Sequence, residues 1–208
     1  MAVKLKKEKL KIENIPIILA SASPRRKQLL AEAGYKFDVV VSQIDEAAFS
    51  TEGISPVEYA KQLALAKAND VAQKFRDSLV IGADTVIDFE GQIIGKPADA
   101  KDAERITRML FSRSHKVITG LAIICKTRNL QIVEADTTVV YPKKLTDAQI
   151  AEHIASGIWR DKAGAYAIKE HNDPFVDHIA GSLTNVMGMP MELLGRLLDG
   201  LRGLSFDV

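Results

Sequence analysis

The sequence predicts an α/β protein built on a mixed, twisted β-sheet flanked by helices. Three observations lead there. Short apolar runs alternate with helical periodicity early in the chain, starting with Ile17–Ala20 and the pattern from Pro24 to about Ala33. From Leu79 onward, β-branched runs are separated by tight polar turns at Glu90-Gly91 and Lys126–Asn129, as antiparallel pairs require. The 208 residues, 47% hydrophobic and 26% charged, are enough to bury the core of one globular domain. Alternation by itself leaves a doubly wound sheet open beside the mixed one.

The elements follow in order. Ile17–Ala20 reads as a buried strand, and Pro24 opens a helix because the first helical N–H has no partner within the helix. Phe37–Ser42 reads as a second strand and Ile44–Gly53 as an acidic loop. Ser55, Pro56 and Glu58 supply an N-cap, a first-turn proline and a capping acid for a helix to about Phe75. Leu79–Phe89 is strand-like but is expected to break at Gly82-Ala83-Asp84, with Thr85–Phe89 and Gln92–Ile94 forming a hairpin. The apolar spacing of Ala103, Ile106, Met109 and Leu110 predicts a helix over Asp99–Leu110. Lys116–Cys125 and Leu130–Tyr141 are expected strands, Thr146–Ala155 a helix stopped by Gly157. Further strand pieces are expected around Ala165–Ile168 and Phe175–Ile179, and Met191–Leu201 forms a last helix after Pro190.

Residues 1–14 read as a flexible, lysine-rich extension, and 15–208 as a single domain. The start lacks the apolar stretch of a signal peptide, and no run approaches the ~20 apolar residues that cross a bilayer. Cys125 is the only cysteine, which excludes an internal disulfide and agrees with a reducing, cytoplasmic setting. A formal charge of +1 gives no global field for nucleic acid, and no membrane partner is expected.

Chemistry concentrates in a few places. In Ser21-Ala22-Ser23-Pro24-Arg25-Arg26, hydroxyls and guanidinium groups meet the positive end of a helix, a receptor for phosphate or carboxylate. Asp84 sits within an apolar strand pattern, where a carboxylate needs a partner or a cation. Glu46 follows the second strand, Lys67 lies on an otherwise apolar helical stretch, and Lys96 comes directly off the hairpin. Arg25, Arg26, Lys67 and Lys96 can neutralise a polyphosphate, while Glu46 and Asp84 can hold Mg²⁺ or Mn²⁺ together with substrate phosphates and water. Each feature also has an ordinary reading: a helix cap with surface ion pairs, a solvated acidic loop, a snorkelling lysine. The chain carries no Gly-x-Ser-x-Gly elbow, Walker loop or GxGxxG motif.

The ordered set of motifs resembles the Maf family of nucleoside triphosphate pyrophosphatases. It comprises Leu19–Arg26, Asp45-Glu46, Lys67, Gly82–Thr85, Gly95-Lys96-Pro97, Ser114–Gly120, Asp161–Tyr166 and Asn185–Pro190. The resemblance implies two lobes around a deep cleft, assembly as a homodimer, and hydrolysis of a nucleoside triphosphate between the α and β phosphates. It implies Asp84 as general base, Glu46 as its metal-binding partner, and Mg²⁺ or Mn²⁺ as cofactor. Substrate contacts carried over by motif position are Ser21, Ser23, Arg25, Arg26, Lys67, Thr85, Lys96 and Lys169.

Arg25, Thr85 and Lys162–Tyr166 look like the branch acting on dTTP and UTP rather than the branch acting on 7-methyl-GTP. Lys169 departs from both, standing where the first has Gln and the second Glu, and Asn172-Asp173-Pro174 replaces a glycine-rich continuation. The resemblance also allows a 7-methyl-GTP or broad-range enzyme, or a nucleotide-binding regulator of cell division with little turnover. Trp159 and Tyr166 are equally candidates for base stacking and for core packing, and His115 for the cleft backbone or the phosphates.

Overall fold

A computed structural model describes residues 10–11, 15–160, 162–166, 175–201 and 205–206. Its first strand, β1 (Leu10–Lys11), lies apart from the main sheet. The apolar run that follows forms β2 (Ile17–Leu19), and the chain turns at Ser23 into α1 (Pro24–Glu32). Next come β3 (Phe37–Val39), a 3-10 turn at Glu46–Ala48 and α2 (Pro56–Ala72), capped by the Ser55 hydroxyl on the Glu58 N–H at 3.2 Å. β4 (Leu79–Phe89) then pairs with β2.

Both β3 and β4 run parallel to β2, on opposite sides of it. The chain steps outward from β2 to β3 and then back past β2 to β4. With crossovers of one hand, the two connecting helices must lie on opposite faces of the sheet. A crevice opens at the carboxyl ends of parallel strands where such connections diverge, and the Ser21–Arg26 turn lies there.

β4 runs unbroken for 11 residues, so the expected interruption at Gly82-Ala83-Asp84 is absent. Gly82 has a different purpose. A Cβ there would lie 2.3 Å from the carbonyl oxygen of Ala64, so the missing side chain lets the α2 backbone rest on the strand. Gly120 does the same beneath Ala60, where a Cβ would approach its carbonyl oxygen to 2.2 Å.

The remainder is antiparallel. β5 (Gln92–Ile94) closes the expected hairpin onto β4, and α3 (Ala100–Leu110) follows, capped by Asp99. β6 (His115–Cys125) pairs with β4, and β7 (Leu130–Pro142) with β6. α4 (Asp147–Ser156) has a full capping box at Thr146 and Gln149, and ends at Gly157 with φ +68°. β8 (Val176–Ala180) pairs with β7, giving a mixed sheet in the order β3-β2-β4-β6-β7-β8 with β5 beside β4. A short α5 (Leu183–Val186), not foreseen, precedes α6 (Met191–Leu201), and β9 (Ser205–Phe206) pairs with β1. The strand piece expected from Ala165 is instead the end of a 3-10 turn at Ala163–Ala165, with Ala165 at φ +62°; 167–168 lie outside the described residues.

The core divides by sheet face, as the two-residue pleat requires. Leu79, Ile81 and Ala83 point toward Leu29 and Leu30 of α1 and Leu194, Leu198 and Leu201 of α6. Val80 of the same strand meets Ala64, Ala68 and Val71 of α2. A second apolar cluster joins Ile87 and Phe89 to Ile106 and Leu110 of α3, Val140, Trp159 and Tyr166. Two packed lobes therefore flank the middle of β4, where Asp84 and Thr85 lie.

Candidate active site

A cleft of about 870 Å³ runs between the lobes, bordered by Ser21, Ser23, Arg25, Arg26, Glu46, Lys67, Asp84, Thr85 and Lys96. The structure thus brings together every described residue singled out as a site candidate. Lys169 lies outside the described residues.

At its floor, β4 supplies Asp84, 7% exposed, on the face covered by α2. The Lys67 ammonium donates to Asp84 Oδ1 at 2.5 Å and reaches Glu46 Oε1 at 2.8 Å, so one cation bridges two carboxylates. Its neighbour Asp45 is engaged elsewhere: the Asp45 Oδ1 accepts from the Ala47 N–H at 3.0 Å and caps the 3-10 turn that carries Glu46. Burial pushes the Asp84 carboxyl above the usual aspartate range and Glu46 adds to that rise, against the opposing pull of Lys67 and Arg26. Burial also pushes on Glu46, but Lys67, Lys96 and Arg26 outweigh it and hold that carboxyl below the usual range. The two acids are therefore set apart in basicity while sharing one counterion, a separation associated with functional sites.

The turn beside them is held by its own hydrogen bonds. Ser23 caps α1, accepting from the Arg26 N–H. Ser21 Oγ accepts from the Ser23 N–H at 3.1 Å and from Arg26 Nη1 at 3.3 Å. Both lone pairs of that hydroxyl are taken, so its hydrogen serves as a donor to an incoming acceptor such as a phosphate oxygen.

Arg26 does more internal work than its motif position suggests. Its guanidinium donates from Nε to the Gly188 carbonyl at 2.7 Å, from Nη1 to the Ala83 carbonyl at 2.7 Å, and from Nη2 to Thr85 Oγ1 at 3.0 Å. With the bond to Ser21, Arg26 ties the turn, β4 and the Gly188 segment into one frame. Thr85 is likewise engaged: it accepts from Arg26 and donates to Thr119 Oγ1 at 3.0 Å, because the Thr119 hydroxyl hydrogen goes to the Asn185 carbonyl. Arg25 borders the cleft beside this frame, and Lys96 stands exposed at the rim, close enough to lower the Glu46 carboxyl.

Other candidates fall on the structural side. His115 is 3% exposed, with Nδ1 3.2 Å from the Leu110 carbonyl oxygen and Nε2 2.6 Å from the Tyr166 hydroxyl. A carbonyl only accepts, so Nδ1 carries the hydrogen, and burial lowers the imidazole to about 4, leaving it neutral. Nε2 then accepts the Tyr166 O–H. Trp159 packs in the second core with its indole N–H on the Ile154 carbonyl at 3.0 Å and does not border the cleft, whereas Tyr166 does.

Tyr59 was missed by reading motifs. It borders the cleft together with Leu63 and Lys67, and the three residues recur at four-residue spacing on α2. Extending the helical face back from Lys67 would have found it.

Residues 16–201 match the family model for Maf-like protein. The chain belongs to the Maf family. A curated relative from Geotalea uraniireducens (strain Rf4), a dTTP/UTP pyrophosphatase, is 47% identical over 189 residues, covering 91% of this chain and 95% of its own. Another dTTP/UTP pyrophosphatase, from Citrifermentans bemidjiense, is 44% identical over 191 residues, covering 92% and 96%. Among solved structures, the Staphylococcus aureus Ham1 protein superposes with a TM-score of 0.50 at 14% identity, over 89% of this chain and 98% of that one, a likeness of fold. The mixed sheet, flanking helices and central cleft of this Maf-family chain agree with the architecture expected from the sequence.

Proposed function

We propose that this chain hydrolyses nucleoside triphosphates of the dTTP and UTP type to monophosphate and pyrophosphate. The observation that carries the reading is the bridged Asp84–Lys67–Glu46 group beside the Ser21–Arg26 turn, inside a cleft of nucleotide size. Its curated relatives bear that activity in their names.

The chemistry follows from the residues. Ser21 donates to a phosphate oxygen, and Arg25, Lys96 and the first turn of α1 favour the negative charge of the polyphosphate. Asp84, made more basic by burial, takes a proton from a water aimed at the α phosphorus. The water oxygen bonds to that phosphorus, the bond to the α–β bridging oxygen breaks, and pyrophosphate leaves with the bridging oxygen. Lys67 offsets charge that develops on the phosphates, and Arg26 keeps the turn and the base in register.

A divalent cation fits the donor set. Glu46 and Asp84 are hard carboxylates already gathered around one positive centre, and Mg²⁺ needs only one or two such ligands when phosphates and water complete its shell. Among the described residues no cluster of three or more His, Cys, Asp or Glu could hold a metal by itself. Bound there, Mg²⁺ or Mn²⁺ would polarise the phosphoryl oxygens.

A thymine pocket admits uracil readily, since one methyl is worth about 1–3 kcal/mol, so dTTP and UTP are taken together. The test is a panel of nucleoside triphosphates with Mg²⁺ and with Mn²⁺, measuring monophosphate and pyrophosphate. Turnover of dTTP and UTP above the purine nucleotides and 7-methyl-GTP is expected. Release of inorganic phosphate without pyrophosphate, or preference for 7-methyl-GTP, would overturn the assignment.

A further inference from the structure

The bridge at the cleft floor bears on the form in which substrate arrives. The inner site holds two carboxylates, Glu46 and Asp84, and two cationic side chains, Lys67 and the buried guanidinium of Arg26. Its formal charge is therefore zero without any metal. The Lys67 ammonium also bridges the two carboxylates that would hold a divalent ion, 2.5 Å from Asp84 Oδ1 and 2.8 Å from Glu46 Oε1.

A free divalent cation entering this group would have to displace Lys67 and leave its charge without a partner in a partly dry pocket, which is costly. The same cation entering on a triphosphate brings excess negative charge with it. The phosphate oxygens then accept from Lys67 as the carboxylates release it, and Arg25 and Lys96 add positive charge at the rim to meet the rest. Lys67 sits two turns along α2 from Tyr59, on the face lining the cleft.

We propose that Lys67 serves as a resident cation, which keeps the carboxylate pair closed to free divalent ions until a metal–nucleotide chelate displaces it. The inference rests on the reading of Glu46 and Asp84 as the metal-binding pair. It adds that this pair holds no divalent ion between turnovers.

The experiment titrates Mn²⁺ into nucleotide-free protein and follows the electron paramagnetic resonance signal of the unbound ion. Wild type is expected to take up Mn²⁺ weakly, and Lys67→Met to bind one ion per chain about tenfold or more tightly, since one positive charge has left the site. Mn²⁺ should raise the melting temperature of Lys67→Met but not that of nucleotide-free wild type. Wild type that binds one Mn²⁺ as tightly as Lys67→Met overturns the inference and leaves the carboxylate pair intact as a metal site.

Should Lys67→Met fail to fold, wild type alone decides, by equilibrium dialysis that measures protein-retained Mn²⁺ with and without a diffusible α,β-methylene UTP analogue. Mn²⁺ uptake as tight without the analogue as with it overturns the inference; uptake that needs the analogue supports it. If no form binds Mn²⁺ and hydrolysis proceeds in EDTA, the metal-binding pair itself is rejected, and this inference with it.

Discussion

His115 sets a pH limit on stability that can be worked from its surroundings. Burial lowers the imidazole from 6.5 to about 4, against the opposing pull of backbone groups at Leu110 and Arg113. A folded value below the unfolded one means that the unfolded chain binds the extra proton first. Stability is thus unaffected by this group above pH 6.5, declines as pH falls below it, and levels off once the folded imidazole protonates near pH 4. One pH unit corresponds to about 1.4 kcal/mol, so the full loss across that window is about 3 kcal/mol. A protonated Nε2 could no longer accept from the Tyr166 hydroxyl, and Tyr166 is part of the cleft wall, so the loss would loosen the site as well. Urea unfolding from pH 4 to 8 of wild type and His115→Gln isolates the effect, because carboxylate titrations cancel in the difference. That difference should be flat above pH 6.5 and change by about 3 kcal/mol toward pH 4. A difference constant over the whole range would refute the buried, neutral imidazole.

Two other outcomes follow from the cleft floor. Asp84→Asn should lower kcat by about 10²–10⁴-fold, the usual contribution of a positioned base. Its melting temperature should equal or exceed that of wild type, since a carboxyl whose folded value is raised destabilises the fold when ionised; lost activity with a clearly lower melting temperature would point to a structural carboxylate instead. Thr85→Val keeps the shape of the side chain but removes the acceptor of Arg26 Nη2 and the donor to Thr119, and should cost about 1–3 kcal/mol in unfolding experiments. Its nucleotide KM should rise, because Arg26 positions the Ser21 turn; an unchanged KM would place Arg26 outside substrate binding.

Much of this architecture was legible because periodicity and turn chemistry agreed along the chain. The Ser55 cap and the helix-opening prolines Pro24 and Pro56 lie where the side-chain pattern places them, the helices expected from Asp99 and Thr146 begin one residue later with those two residues as caps, and the Glu90-Gly91 hairpin closes as read. What failed were positions whose meaning is three-dimensional. Gly82 looked like a break because glycine weakens a lone strand, but its purpose is fixed by the α2 backbone lying against it. α5 has only four residues, too few to carry a periodic signal, and is tied to β6 by the Thr119 hydroxyl donating to the Asn185 carbonyl. In the site, residue types were readable from motif order. The division between groups that face the ligand and groups that hold the frame was not, since it depends on which acceptors surround each donor.

That division has a simple origin in β4. Successive residues of a strand point to opposite faces, so Asp84 and Thr85 cannot act on the same neighbour. Asp84 meets α2 and finds Lys67; Thr85 meets the other face and finds Arg26 of α1. Arg26 in turn bonds the carbonyl of Ala83, the residue before Asp84, and the hydroxyl of Ser21. The Ser21–Arg26 turn and the Asp84 carboxylate are thereby fixed to the same two peptide units from opposite sides of the sheet. A shift of one residue in β4 relative to β6 would exchange the faces of Asp84 and Thr85 and bury the carboxylate against Arg26 rather than Lys67. The long antiparallel pairing of β4 with β6, Val80–Asp88 against Ile124–Lys116, opposes such a slip, and Gly82 and Gly120 oppose it further, because only glycine fits beneath α2 at those two points. Register, more than any single side chain, is what makes this cleft chemically specific.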